Sequence, residues 1–486
     1  MLDRVLREAA SRFGDRPALA VGDASGGRRS MSYLELDLAS DVVAAGLRDL
    51  GVCEGDVVAV VLPTGFDYVV SYLGIVKAGA ICAGINPRLT APERAALIDR
   101  VRPALVIDGA LPAGDPAAAP ELPEDPERAV AIVFTSGSTG LPKGALFRSR
   151  QLRAIARIDL GADAADRWGG GGAILATTQL PHIGVMTKLG WYLQTGSTMW
   201  MLGRWRADDV LQLVADTGMR SIGGVAPQIA LLLRSPLLGE LDMSAVDTLV
   251  VGGAMSPPAL VREARRRFGA RYSIRYSSTE SGGVGLATAF DAGDEEALHT
   301  IGRPRPGVDA RIVGETSHDG GGVPDELPDG EIGELALRSA AQMDVYWGDP
   351  AATAEAIRGG WLYTGDLARR DATGCYHLVG RRKEMYIRGG YNVAPAEVEA
   401  VLGDHPALLD VAVAPRADDV MGEIGVAVLV IRPGNAAPSL GELRDFAAGR
   451  LAAWKLPEAT MILDELPLNA MSKLDRPALA RAVEVP

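Results

Sequence analysis

Between residues 31 and 107 the apolar positions switch repeatedly between two spacings. MSYLELDLASDVVAAGLRDLG (31–51) repeats them at helical intervals and stops at Gly51, and GDVVAVVL (55–62) follows as an almost unbroken β-branched run. The first spacing predicts an amphipathic helix; the second predicts a strand covered on both faces. DYVVSYLGIVKAG (67–79) with AICAGI (80–85), and ERAALIDRV (93–101) with ALVID (104–108), repeat the pair. Strands alternating with helices long enough to cross over predict parallel sheets with helices on both faces. Residues 110–128, rich in Ala, Pro, Asp and Glu, predict a surface loop.

The alternation resumes over about 130–275, with VLQLVADTG before SIGGVAP and SAVDTLVVGGA before PPALVREARRRFG. From roughly 300 to 380 the spacing shortens. IGRPRPGVDARIVG, GEIGELALRS, GWLYTGDLARRD and GCYHLVGR are short strands with Gly, Pro and Asp turns, which predict a mainly antiparallel unit. After Lys383 the pattern is mixed again: AEVEAVLGDHP helix, LLDVAVAPR and IGVAVLVIR strands, LGELRDFAAGRL helix. The fold class expected is α/β. A large N-terminal domain (1–382) would hold two parallel-type α/β subdomains and a small β-rich subdomain, followed by a small α+β domain (383–486).

Of the 486 residues, 48% are hydrophobic and 23% charged, as in a soluble globular protein. The net charge of −13 argues against nucleic-acid binding, which needs clustered cations. Cys53, Cys82 and Cys375 are too scattered for a zinc ribbon or disulfide framework, and the N-terminus MLDRVLREAASRFGDRP is charged and amphipathic. The most apolar stretch, Tyr68 to Ile85, is interrupted by Lys77 and several glycines and reads as a buried helix plus strand, with no membrane span. A cytoplasmic protein, monomer or homodimer, is expected.

The segment AIVFTSGSTGLPKGAL (131–146) carries the most specific chemistry. Ala131 to Phe134 form a short buried strand. Thr135, Ser136, Ser138 and Thr139 then supply hydroxyls interleaved with Gly137 and Gly140, and Lys143 adds positive charge. Glycines let successive N–H groups turn toward one point, so this loop is built to hold a polyphosphate. A Walker A loop needs Gly-Lys-Ser/Thr, whereas here Pro142 precedes Lys143 and Gly144 follows it.

TSGSTGLPKG resembles the phosphate loop of the adenylate-forming superfamily of acyl-CoA synthetases, adenylation domains and luciferases. Four further segments match in the family's order. YSSTE (276–280) resembles its aromatic-x-x-Thr-Glu motif and YTGDL (363–367) its Thr-Gly-Asp motif. GRRKEMYIRGGYNVAPAEVE (380–399) resembles its hinge, and PLNAMSK (467–473) its catalytic-lysine motif. The family usually has Gly where this chain has Ser472, and Thr where it has Asn469.

The resemblance implies ATP, Mg²⁺ and coenzyme A as cofactors and a C-terminal domain that is mobile about Lys383. It implies that Glu280 holds Mg²⁺, that Thr279, with Ser277 and Ser278 beside it, faces the α-phosphate, and that Asp366 accepts from the ribose hydroxyls with Arg381 nearby. Gly252, Gly253 and Ala254 would line the adenine or acyl channel and Tyr276 would stack near the base. Lys473 would bridge carboxylate and α-phosphate oxygens in the transition state. In a second domain orientation Gly389 and Gly390 would approach a pantetheine arm.

Between Asp166 and Asp208 there is neither Asp nor Glu, so a buried substrate ammonium would lack a counter-charge, and amino acids are disfavoured. His182, in QLPHIGVM, falls where many acyl-CoA synthetases have a histidine beside the carboxylate. Ser281, Gly282 and Gly283 remove side-chain bulk from the expected pocket wall; this accommodates either a wide acid or another side chain. A small-molecule carboxylic acid, fatty, aryl or otherwise apolar, is the expected partner, with free coenzyme A as acceptor. An acyl-carrier protein, or a relative retaining one half-reaction, is the alternative.

Overall fold

The computed structural model describes all residues except 1, 23–26, 136–141, 254–255, 315–324, 390, 470–472 and 485–486. Its described strands form five sheets. In the first, the strands Leu105–Ile107, Val57–Val60, Ile81–Gly84 and Ala129–Phe134 run parallel, and Gly144–Arg148 closes the edge antiparallel to Ala129–Phe134. The three inner strands are apolar strands read from sequence, and all their residues but Ala129 are buried. The phosphate-loop segment is thus the connection of an antiparallel pair, held at its base by the Thr135 amide donating to the Lys143 carbonyl at 2.9 Å.

The helix Phe66–Lys77 and the strand Ile81–Gly84 confirm the helix-plus-strand reading of the apolar stretch. Lys77 is tolerated there because its fully buried ammonium meets Asp37 at 2.5 Å and Asp41 at 2.9 Å on the helix Tyr33–Asp49. Among the described residues no helix is long and apolar enough to cross a membrane.

A second sheet was not expected. Pro17–Gly22 pairs in parallel with Thr198–Leu202, which lies far along the chain, and Arg28–Ser32 and Ala173–Ala176 flank them. Pro17–Gly22, Arg28–Ser32 and Ala173–Ala176 show no two-residue alternation of burial, and Thr198–Leu202, which does alternate, is apolar almost throughout in sequence, so their pairing depends on distant neighbours. The third sheet begins with the parallel strands Ser221–Gly224, Thr248–Gly252 and Arg271–Tyr276. The fourth, containing Val308–Val313, Gly333–Ser339, Trp361–Arg370 and Tyr376–Arg381, is antiparallel throughout.

The fifth sheet, centred on the long pair Leu408–Asp418 and Gly422–Ile431, has its own cores around Leu429 and Val428. It meets the preceding unit where the helix Pro395–Leu402 packs on Tyr376–Arg381. A β-carbon on Gly380 would stand 3.0 Å from that of Ala394, so glycine permits this close approach. Arg476 ties the Lys473 segment down, reaching Glu399 at 2.5 Å and Glu384 at 3.5 Å.

Candidate active site

Three pieces of chain meet around the base of the phosphate loop. The Lys143 amide donates to Thr135 Oγ1 at 3.2 Å, and the Lys143 ammonium lies 5.0 Å from the centre of the Tyr346 ring. The Tyr346 hydroxyl donates to Glu280 Oε1 at 2.7 Å. Upstream of Glu280 the turn is stiffened by a reciprocal pair: the Ser278 amide donates to Ser281 Oγ at 3.0 Å, and the Ser281 amide to Ser278 Oγ at 3.1 Å. The Thr279 carbonyl accepts from the Gly282 amide at 3.0 Å. Ser277 passes close to Gly285, whose added β-carbon would lie 3.6 Å from the Ser277 Cα.

Asp366 is buried at the end of the Thr-Gly-Asp turn. Its carboxylate accepts from the Tyr276 hydroxyl on one oxygen and from Arg381 Nε, at 2.9 Å, on the other. Burial raises its pKa above the ordinary carboxylate value against the pull of Arg381, and burial with the adjacent Asp366 raises the Tyr276 phenol well above its own. Each oxygen keeps a lone pair for a further donor. Tyr276, read as a stacking residue, is thus held by its hydroxyl to the residue expected to hold the ribose.

Lys473 reaches this cluster from the far end of the chain. A β-carbon on Gly253, whose φ is +75°, would meet Lys473 Cε at 3.4 Å and Nζ at 3.6 Å. On Gly252 it would strike the Arg275 carbonyl at 2.6 Å. The Lys473 amide donates to Asn469 Oδ1 at 3.2 Å, so the asparagine that replaces the family's usual threonine supports the turn. Burial and then Arg381 lower the lysine's pKa from 10.5, while Glu280 and Asp366 oppose the shift.

His182 precedes the turn Ile183–Met186, and burial followed by the charge of Lys473 lowers its pKa to about 4. Its Nε2 lies 3.3 Å from Asn86 Nδ2, while Asn86 Oδ1 accepts the Arg88 amide at 3.0 Å. Assigned from this network, Nε2 accepts and the ring proton sits on Nδ1.

Not every expected residue joins the cluster. Lys383 lies on the turn Arg382–Glu384 with Glu355 at 3.9 Å, and Gly389 (φ +54°) lies beside Met421. No described contact links either to Lys473. Ser136, Gly137, Ser138, Thr139, Gly140, Ala254, Gly390 and Ser472 lie outside the described residues. The room expected at residues 281–283 is taken up by protein: an added β-carbon would meet the Ala341 carbonyl at 2.4 Å from Gly282, and Ile183 at 3.1 Å from Gly283. Asn86 and Tyr346 were missed. The only sequence signal for Asn86 is a polar residue directly after a buried strand; Tyr346 has none.

The donor set suits Mg²⁺. Glu280 Oε2 takes part in no hydrogen bond among the described residues, and magnesium is commonly held by one or two carboxylates together with substrate phosphates. Among the described residues no group of three or more His, Cys, Asp or Glu could hold a metal ion.

The sequence matches a family described as AMP-binding enzyme over residues 6–347, and the AMP-binding enzyme C-terminal domain over 397–473. It is 30% identical to an indoleacetate–CoA ligase of Aromatoleum aromaticum, over 92% of each chain. It is 31% identical to a fatty acid–[acyl-carrier-protein] ligase of Streptomyces coeruleorubidus, over 92% of this chain and 91% of that one. Its fold is similar to that of the o-succinylbenzoate CoA synthetase of Bacillus subtilis in complex with its acyl-adenylate intermediate. That likeness has a TM-score of 0.80 at 26% identity, covering 98% and 97% of the two chains. With its site residues gathered from every part of a sequence matched almost end to end, this chain belongs to the AMP-binding enzyme family.

Proposed function

We propose that this chain is an ATP-dependent acyl-CoA ligase that activates a fatty, aryl or otherwise apolar carboxylic acid as its adenylate. An oxygen of the acid attacks the α-phosphorus of ATP and pyrophosphate leaves. A thiol sulfur then attacks the acyl carbon, the proton goes to solvent, and AMP leaves. The observation that carries this reading is the position of Lys473 over Gly253, close enough to Arg381, Glu280 and Asp366 for each to shift its pKa.

Lys473 stabilises charge that develops as the acid and the α-phosphate join. Asp366, held by Tyr276 and Arg381, accepts from the ribose; Thr135 and Lys143 frame the phosphates; Thr279 donates to the α-phosphate. Glu280 would hold Mg²⁺, which supplies charge neutralisation at the phosphates. His182, neutral at physiological pH, places an uncharged polar group beside the acid. The absence of acidic residues between Asp166 and Asp208 supports an acid without an ammonium group.

For the second half-reaction the domain beginning at Lys383 turns about that residue, withdrawing Lys473 and bringing up the Gly389 segment. Coenzyme A is the preferred acceptor, and the similarity to an acyl-carrier-protein ligase keeps a carrier protein as the second reading. Three unpaired cysteines fit a reducing, cytoplasmic compartment. A panel of carboxylic acids read out by AMP release, with coenzyme A, with carrier protein and with neither, tests the reading. If no acid supports release, the proposal fails.

A further inference from the structure

No motif marks residues 343–347, yet they touch both halves of the phosphate machinery. The Met343 amide donates to the Glu280 carbonyl at 2.8 Å, the Leu146 amide to the Val345 carbonyl at 3.0 Å, and the Trp347 amide to the Gly144 carbonyl at 2.7 Å. Ala145 and Tyr346 form an antiparallel bridge. Tyr346 is therefore pinned between the strand leaving the phosphate loop and the turn carrying Glu280. Its amide donates to Thr353 Oγ1 at 2.9 Å, and the residue is only 7% exposed.

Its side chain serves both neighbours at once. The hydroxyl donates to Glu280 Oε1 at 2.7 Å and the ring lies 5.0 Å from the Lys143 ammonium. A terminal carboxylate torsion is broad and roughly two-fold, so an unheld Glu280 would sample many orientations. An ammonium near a ring face is attracted by the ring's negative face.

We propose that Tyr346 is a positioning residue shared by the Mg²⁺ carboxylate and the phosphate-loop lysine, and that it makes Mg²⁺ and ATP bind cooperatively. The inference rests on the ligase reading above. The hydroxyl fixes Oε1 and leaves Oε2 for the cation, and the same ring keeps the lysine in register with that carboxylate. Ordering the carboxylate before the ligand arrives lowers the cost of binding. Because coupling is reciprocal, the metal should raise ATP affinity by the factor by which ATP raises metal affinity.

The test is calorimetric titration of the full chain with ATP, with and without MgCl₂, for the wild type, Tyr346→Phe, Glu280→Gln and the double variant. Melting curves serve as a check of folding. The Phe variant keeps the ring, so its metal-free ATP affinity should stay within about twofold, while the gain in affinity produced by Mg²⁺ should fall by about tenfold or more, as expected for a lost bond to a charged acceptor. In the Glu280→Gln background the Phe substitution should cost little further. The proposal is overturned by an undiminished Mg²⁺ gain in a folded Phe variant, by equal losses with and without the metal, or by additive effects in the double variant. Wild-type protein that binds ATP with no Mg²⁺ effect also overturns it, and leaves the ligase reading standing. Wild-type protein that binds no ATP under either condition overturns the ligase reading as well.

Discussion

Lys473 crosses the chain at Gly253: a β-carbon there would stand 3.4 Å from the lysine's Cε and 3.6 Å from its Nζ. The candidate catalytic ammonium, carried by the last domain, thus rests on a glycine at the end of a strand in the third sheet. Gly253 has φ +75°, so a side chain there would be strained, and any atoms beyond its β-carbon would compete with the lysine for the same space.

Lys473→Ala should therefore lower acyl-adenylate formation by roughly 10²–10³-fold, by analogy with a lost oxyanion donor. Thioester formation from supplied acyl-adenylate should persist. Pyrophosphate exchange measures the first step and thioester release the second, and equal loss of both would reject a two-orientation cycle. Gly253→Val should mimic the lysine variant in the exchange assay while Lys473 is still present.

Buried Asp366 joins the partly buried Tyr276 and the exposed Arg381, so removing its carboxylate leaves a phenol and a guanidinium without their acceptor. Asp366→Ala should weaken AMP binding by about ten- to a hundredfold, the range for lost bonds to charged groups. Calorimetry with AMP is the measurement; an unchanged affinity would remove Asp366 from the ribose site.

The lysine's pKa is lowered from 10.5, chiefly by burial and then by Arg381. Its ammonium is consequently lost at a lower pH than that of an ordinary lysine. The rate of the adenylation step should decline on an alkaline limb centred below 10.5. Lys473→Arg should shift that limb upward even at reduced rate, because guanidinium stays protonated. A limb identical in both variants would assign it to another group.

His182 has a folded pKa of about 4 against an ordinary 6.5. Between these values the unfolded chain binds more protons, so stability falls as the pH drops from 6.5 toward 4. His182→Gln should flatten the decline in melting temperature across that window. If both proteins decline in parallel, the histidine is not held neutral by the fold.

Much of the fold was legible along the chain. The buried runs at Val57–Val60 and Ile81–Gly84 read as strands because strands covered on both faces are apolar throughout, and the helices between them show their period. The strands Pro17–Gly22 and Ala173–Ala176 did not, since half-buried strands joined across long loops carry little local pattern. Within the site, motif order pointed to Lys143, Glu280, Asp366, Arg381 and Lys473, and the structure brings Lys473 within electrostatic reach of the last three of the others. Nothing local marked Tyr346, and the glycines at 282–283 suggested space that Ala341 and Ile183 occupy.

By itself the sequence determined which chemistry is available: a hydroxyl- and glycine-bearing phosphate loop, carboxylates at Glu280 and Asp366, and a lysine at the end of an ordered set of motifs. The kinds of donor and acceptor and their order are properties of covalent neighbours, and these can be read one segment at a time. Only the tertiary structure decided that Lys473 lies on Gly253, that Asp366 is shared by Tyr276 and Arg381, and that Tyr346 links Glu280 to Lys143. Those relations join residues from separate segments of the chain, and their distances and pKa shifts arise from burial and packing, which local spacing does not encode.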